Sequence, residues 1–511
     1  MTDPVPGQPM LAVRHRWLVM IGVMGAVVMQ ILDTTIANVA LPHMQTSLGA
    51  TGDTVTWVLT SYIIASAIAI PATGWLSDRL GSRNLFLWAV GAFVIASMLC
   101  GTAVSLEEMV LFRILQGIAG AFISPLSQTA MLDISAPERQ NKAMSIWAMG
   151  VMVGPIMGPV LGGWLTESYN WRWVFYVNAP VGALTFAILW FLLPSRPKAV
   201  RAFDMTGFAL ISIAVASFQL MLDRGQQRDW FSSPEIIIEA MISAATAWMG
   251  IIHLATAKKP LFDRNLFKDR NLVVSMFFMV VIGMSTMAPM SLLPPMLQQL
   301  YGYPVVDTGM LMAPRGVGVL FTMWFSGQMM GKIDTRLLIA AGLVLYSVSL
   351  WLMSGWSLDM DYWPIVISGF IQGLGMGFAF MPLNSLAFGT LGHAYRTEGA
   401  SLLNLMRSIG QSAGISVMAV LLARNVQTAH SDLAGHITRT AIPTLDLGAL
   451  DRFGSLSDTV FVMADAMINK QAAMIAYIDD FRLMAWVAIL VIPLVLLLRK
   501  PKGKVEAVIA E

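Results

Sequence analysis

Of 511 residues, 56% are apolar and only 12% are charged, about half the charged share of a soluble domain. The chain therefore reads as an integral membrane protein, which excludes a set of soluble catalytic domains. A net charge of +2 argues against a nucleic-acid partner, and one cysteine, Cys100, excludes a disulfide framework, a thiolate zinc site or a CxxC redox pair.

The residues before Trp17 are polar and include Arg14, His15 and Arg16. The apolar run that follows is too long for a signal-peptide core and lacks a cleavage site, so it reads as a retained first span. A span needs about 20 mainly apolar residues. Fourteen stretches qualify: 17–40, 54–76, 85–103, 109–131, 143–166, 172–193, 205–222, 235–256, 272–297, 307–330, 337–355, 362–390, 399–423 and 480–498. Lys and Arg gather in the loops of one side, among them Arg79, Arg83, Arg139, Lys142, Arg196, Lys258, Lys332 and Arg396. The N-terminal arginines and the tail's Arg499 and Lys500 share that side, so both termini are predicted to be cytoplasmic. The expected fold is all-α, with a six-helix half at 17–193, an inserted helix pair at 205–256 and a second six-helix half at 272–498. Residues 1–16 and 499–511 flank it, and an outward loop at 424–479 holds a helix-like stretch near 457–479.

Asp33 lies inside the first span, roughly 10 Å from its outer end at 1.5 Å per residue. A carboxylate at that depth costs roughly 2.5–3.5 kcal/mol on insertion scales. It must face protein, a wet cavity or a partner charge, and such groups mark ion or substrate paths. A structural hydrogen bond is the plainer reading. Gln30 and Asn38, on the same span, are candidates to line a cavity.

The second span ends in GWLSDRLGSR, Gly74 to Arg83. Gly74, Asp78, Arg79, Gly81 and Arg83 either latch the cytoplasmic ends of the halves or only carry topogenic charge. Asp78 is read as complementing a helix N-terminus. Arg113 lies roughly 6 Å deep in the fourth span. If spans one and four are neighbours, it meets Asp33. The arginine favours the ionised carboxylate and a dry environment the protonated one, a balance suited to a proton-coupled carrier. Orienting substrate or backbone carbonyls is the other use for Arg113. Gln116 follows one turn later as a cavity candidate.

The fifth span places Gly150, Gly154, Gly158 and Gly162 on one ridge, with Gly163 beside it. Such ridges let helices approach closely, and Pro155 and Pro159 favour a kink. The pattern suits a gate or pivot between halves, or tight packing alone. Asp223 and Glu239, in the inserted pair, are expected to face each other as structural groups, and His253 to snorkel. Arg315, after Pro314, and Arg407, roughly 12 Å from its helix end, point to a water-filled cavity. Gln372 and Asn404 complete the cavity candidates. The 38 methionines fit a broad-specificity apolar pocket. GQMMGK, Gly327 to Lys332, is one residue short of a nucleotide loop and lacks the following Ser or Thr. No metal or cofactor is expected; a proton gradient is the expected energy source, and the chain is not read as an enzyme.

Segment 74–83 and segment 327–336 both run from Gly to Arg. RILQGIAGAF at Arg113 pairs with FIQGLGMGF around Gln372, and Gly154 and Gly158 pair with Gly410 and Gly414, all at offsets of 253–256. Matches in one order predict parallel repeats, the plan of a rocking transporter with its substrate site between the halves. Chance alignment of glycine-rich helices is the alternative.

The segments ILDTTIANVALP (Ile31–Pro42), GWLSDRLGSR, RILQG (Arg113–Gly117), GPIMGPVLGG (Gly154–Gly163) and WRWVFYVNAPVG (Trp171–Gly182) together resemble the major facilitator superfamily. Within it they resemble the fourteen-span drug:proton antiporters. QLMLDRGQQRDWFSSPEIII (Gln219–Ile238) and LLPPMLQQLYGY (Leu292–Tyr303) are similar to the EmrB-like multidrug exporters of that group. The resemblance covers nearly the whole chain and is weakest at 424–479; it departs from the EmrB-like pattern at Arg315. It implies proton-driven efflux of hydrophobic or amphipathic compounds across the bacterial inner membrane by alternating access. It also implies Asp33 and Arg113 as coupling residues, the fifth span as a gate, and a periplasmic adaptor and outer-membrane channel as partners. An importer or uniporter of a nutrient or siderophore, and a non-transporting sensor or scaffold, remain as alternatives.

Overall fold

A computed structural model describes residues 9–196, 198, 202–436 and 455–499. The long apolar runs become helices because a helix satisfies its own backbone bonds where no water can. In chain order they are α1 (Arg16–Ser47), α2 (Trp57–Leu80), α3 (Ser82–Thr102), α4 (Leu106–Asp133), α5 (Pro137–Ser168), α6 (Trp173–Leu192) and α7 (Met205–Arg224). There follow α8 (Pro234–Thr256), α9 (Arg270–Gln299), α10 (Val305–Met329), α11 (Thr335–Met353), α12 (Trp363–Gly389), α13 (Arg396–His436) and α14 (Ser455–Val491). Among the described residues, thirteen helical segments are long and apolar enough to cross a membrane. The fourteenth predicted span is α10, 25 residues long. Asp307 and Arg315 dilute its apolar character, and it packs between α12 and α5 inside the bundle. Side-chain caps set several starts: Ser105 for α4, Asp204 for α7, Asp269 for α9 and Asp334 for α11.

Both ends of the described chain lie at one end of the bundle. Leu11 N donates to the Asp133 carbonyl at 3.0 Å, and Arg499 N donates to Asn271 Oδ1 at 2.7 Å. We refer to this as the Asp133 end.

The glycine ridge of α5 faces α1, within the first half. A Cβ on Gly154 would meet Leu32 N at 2.9 Å, and one on Gly158 would meet Thr35 Oγ1 at 2.1 Å. The repeat counterparts do the same in the second half: a Cβ on Gly410 would lie 2.1 Å from the Val280 carbonyl oxygen, and one on Gly414 2.6 Å from Met284 Cα. The expectation of a ridge between the halves is therefore corrected. These glycines let α1 touch α5 and α9 touch α13, backbone to backbone. Gly410→Ala is expected to lower stability by about 1–3 kcal/mol, because the carbonyl it meets belongs to a rigid helix. Thermal unfolding in detergent reads this, with Gly435→Ala as control, since a Cβ there meets nothing within 4 Å.

The halves meet where α10 crosses α5 and where α13 crosses α4 and α2. The pair α7 and α8 packs together and leans on α2 and α13. Asp223 does not face Glu239. It accepts a hydrogen bond from Thr60 Oγ1 on α2, which docks the pair onto the first half. Glu239 instead lies 3.4 Å from Arg224, which also holds Glu235 at 2.9 Å. His253 does not snorkel freely; its Nε2 lies 2.8 Å from Asp204 Oδ1.

The outward loop 424–479 is also corrected. α13 continues to His436 and α14 begins at Ser455. Asn425 reaches Asp480 at 3.4 Å and His430 reaches Asp465 at 3.2 Å, tying the extensions together. The helix-like stretch expected near 457–479 falls within α14, whereas polar residues mask the end of α13 from a hydropathy reading. Residues 437–454 of the expected loop, like the segment 1–8 and the tail 500–511, lie outside the described residues.

Candidate functional site

The first half encloses a carboxylate in a polar network. Asp33 is 1% exposed and Arg113, Gln116 and Asn178 are equally buried. Arg113 Nη1 donates to Asp33 Oδ2 at 2.7 Å and to Gln116 Oε1 at 2.8 Å, while its Nε donates to the Val58 carbonyl at 2.8 Å. Its guanidinium carbon lies 4.3 Å from the Tyr62 ring centre, so a π-face meets the remaining charge. Asp33 Oδ1 accepts from Gln116 Nε2 at 2.8 Å and from Asn178 Nδ2 at 2.7 Å. Asn178 also donates to Ser97 Oγ, which donates to the Phe175 carbonyl.

Each of these partners presents a donor to the carboxylate. The arrangement suits an acceptor-only group, and a proton on either oxygen would face an N–H. A buried ion pair repays its desolvation only when further hydrogen bonds complete it, and the two amides do so here. The depth estimate from sequence brings Asp33 and Arg113 together. Gln116, expected in a cavity between halves, belongs to this network instead, because its i+3 spacing puts it on the Arg113 face of α4. Asn178 and Ser97 escape the sequence reading. The available signal is that an amide within an apolar run must find a partner.

At the Asp133 end, side chains of the two halves interlock. Gln128 Nε2 donates to Asn384 Oδ1 at 2.8 Å, Ser124 Oγ to Asn404 Oδ1 at 3.0 Å, and Ser385 Oγ to Asn141 Oδ1 at 2.6 Å. Ser401 Oγ donates to the Ile70 carbonyl at 3.0 Å. Nearer the surface, Arg196 grips both oxygens of Asp133 and donates to Thr397 Oγ1 at 3.0 Å. Arg396 lies 3.8 Å from Asp133 and donates to Gln140 Oε1 at 3.3 Å. Gln128 and Asn384, like Gln140 and Arg396, are 256 residues apart. Each contact thus joins a residue to its repeat counterpart. Gln128, Asn384, Asn141 and Ser385 also escape the sequence reading, although the spacing of Gln128 and Asn384 matches the repeat offset.

The Gly74–Arg83 loop braces the first half, and the last turns of α2 lie against α13. Arg79 lies over Trp75, with 5.2 Å to the ring centre. Arg83 donates to the Trp190 carbonyl on α6. Gly81 has φ +91°, a conformation that favours glycine, and a Cβ there would lie 3.0 Å from Ser195 Oγ. Asp78 falls in the last turn of α2, four residues before Ser82 opens α3.

Between α5 and α10, toward the end opposite Asp133, lies a cleft of ≈ 590 Å³, a volume that includes the open solvent at its mouth and encloses a cavity of ≈ 50 Å³. Met152, Pro155, Ile156 and Pro159 of α5 face it, opposite Met312, Arg315 and Gly316 of α10, with Met290 and Met376 completing the wall. The prolines of α5 therefore face this cavity while its glycines face α1; Gly162 is buried and Gly163 half-buried. Of the other cavity candidates, Asn404 and Arg407 lie at the interlocked end, joined at 3.1 Å. Gln372 is fully buried with neither amide atom hydrogen-bonded, Gln30 is half-buried and Asn38 is exposed. Among the described residues, no group of three His, Cys, Asp or Glu side chains is placed to hold a metal.

The profile of the Major Facilitator Superfamily matches residues 23–415. The fatty acid resistance protein FarB of Neisseria gonorrhoeae is 35% identical over 484 residues, 93% of this chain and 94% of that one. The multidrug export protein EmrB of Escherichia coli (strain K12) is 36% identical over 411 residues, 80% of each chain. Among solved structures, the human organic anion transporter MFSD10 matches with a TM-score of 0.59 over 93% of this chain and 99% of that one, at 14% identity. That similarity is one of fold. An all-helical bundle, matching contacts in two repeats and a match across most of the chain agree: this protein belongs to the Major Facilitator Superfamily.

Proposed function

We propose that the protein is a proton-coupled exporter of hydrophobic or amphipathic compounds, working by alternating access between its halves. The observation that carries this reading is the buried Asp33–Arg113 pair, a titratable group in a span at 1% exposure. The similarity to proteins named for multidrug export and fatty acid resistance supports the outward direction. The proposal places the protein in a bacterial inner membrane with both termini cytoplasmic, so that the Asp133 end is the closed cytoplasmic side. The sequence motifs extend it to a periplasmic adaptor and an outer-membrane channel as partners.

The helix α4 links the two sites. Its outer part carries Arg113 and Gln116, its inner part carries Ser124, Gln128 and Asp133, and the helix is interrupted at Ala121 and Phe122. Separation of the halves at the Asp133 end releases the inner part. The interruption lets α4 change angle and draw its donors from Asp33. A buried carboxylate without donors is then neutralised by a proton. Return of α4 restores the donors and expels that proton. Arg113 sets the balance, Gln116 and Asn178 complete it, and Thr35 Oγ1, bonded to the Gly154 carbonyl at 3.1 Å, ties the carboxylate helix to α5.

The test is dye loss from cells loaded with a fluorescent lipophilic compound. Expression is expected to speed the loss, and an uncoupler to abolish the gain. Gradient-driven accumulation would favour import, and no flux in either direction would favour a sensor or scaffold.

A further inference from the structure

The second half carries a charge-inverted counterpart of the Asp33 network. Gln372 and Gly373 repeat Gln116 and Gly117, and Gly369 stands where Arg113 stands. The packing fixes the equivalence. A Cβ on Gly117 would meet the Tyr62 carbonyl oxygen at 2.5 Å, and one on Gly373 would meet the Arg315 carbonyl oxygen at 2.0 Å. Arg315 therefore occupies the place of Tyr62, against the bare surface that Gly369 leaves. The cation has moved from one helix of the repeat to another.

Its carboxylate partner has vanished. α9, the counterpart of α1, contains no acidic residue from Arg270 to Gln299. Arg315 Nη2 donates to the Thr286 carbonyl at 3.2 Å, while Nη1 is buried without a hydrogen-bond partner among the described residues. Arg407, a half-buried cation of this half, has a neutral partner in Asn404. Neither arginine has an acidic partner among the described residues. A cation withdrawn from water without a counter-charge is costly, and half-buried Arg315 lines the methionine-walled cavity.

We propose that Arg315 is the anchor of a substrate subsite for amphipathic organic acids. It takes the carboxylate or a comparable acidic head, and the apolar body lies along Met152, Met290, Met312 and Met376. The flexible thioethers accommodate bodies of different shape. This rests on the export reading only in treating the cavity as part of the substrate path.

The test is binding to the purified full-length protein in detergent, which needs no pumping. The probes are a dansyl-labelled undecanoic acid and its methyl ester. Wild type is expected to bind the acid at least tenfold more tightly than the ester at neutral pH. Arg315→Gln is expected to remove that preference with ester binding unchanged, and Arg315→Lys to retain part of it. Equal binding of acid and ester by wild type would overturn the proposal without relying on any variant. So would a full preference surviving in a folded Arg315→Gln protein. Displacement of the acid by phosphatidylglycerol added at a few-fold excess would assign the site to a lipid headgroup and overturn the substrate role. Charge-selective binding without dye export would leave the subsite standing and sink the export reading.

Discussion

Asp33→Asn is expected to abolish proton-driven export while the protein still folds. The substitution keeps the volume but cannot keep the bonds. Oδ2 accepts from Arg113, and Oδ1 accepts from both Gln116 and Asn178. An asparagine amide in either orientation points N–H groups at one of these donors. Gln116 is not free to turn, since its own oxygen already accepts from Arg113. The loss is one or two buried bonds, about 1–3 kcal/mol. Asp33→Ala is the harsher change: it leaves Arg113 buried without a counter-charge, about 3–5 kcal/mol. In everted vesicles the Asn variant is expected to show at least a tenfold lower substrate-dependent proton flux at normal protein yield. The Ala variant loses yield as well. Normal flux in Asp33→Asn would remove the carboxylate from the coupling mechanism.

Joining the halves at the Asp133 end is expected to stop transport outright. Asn141 Oδ1 and Ser385 Oγ lie 2.6 Å apart across the interface. Paired cysteines there, in a Cys100→Ser background, are within reach of a short bis-methanethiosulfonate, which joins them through two disulfides. Cys100 is fully buried and contacts Gln116 at 3.5 Å, so serine keeps a donor at that place. Cross-linking is expected to reduce dye loss to the level of cells without the protein, and cleavage by reductant to restore it. Undiminished transport in fully cross-linked protein would mean that this end does not open during the cycle.

Hydropathy made the spans legible, including α10 with its Arg and Asp. Depth along a helix was enough to pair Asp33 with Arg113, because rise per residue is fixed. Rotation about the helix axis was not legible. That is why the glycines of α5 were expected between the halves when they face α1, and why Gln116 was expected in a cavity. Period-four spacing says that residues share a face but not what the face meets. The carboxylate's amide partner Asn178 comes from α6, far along the chain, and only tertiary packing brings it in. Asp223 and Glu239 lie at matching heights, which suggested contact, but Thr60 and Arg224 take them separately. The extension of α13 to His436 was hidden for another reason: beyond the apolar core a helix needs only one packed face.

The contacts that close the Asp133 end are chiefly between neutral amides and hydroxyls, with charge confined to Asp133, Arg196 and Arg396 near the surface. Water offers amides the same bonds, so each contributes only about 0.5–1.5 kcal/mol net. In alternating access these contacts therefore bias the closed conformer by only a few kcal/mol. A molecule preferring one conformer by about 5.5 kcal/mol is enough to invert a 1:99 distribution. The resting occupancy is thus a setting that one amide can shift, and changes at Gln128 or Asn384 would retune the whole cycle without touching either the proton or the cargo.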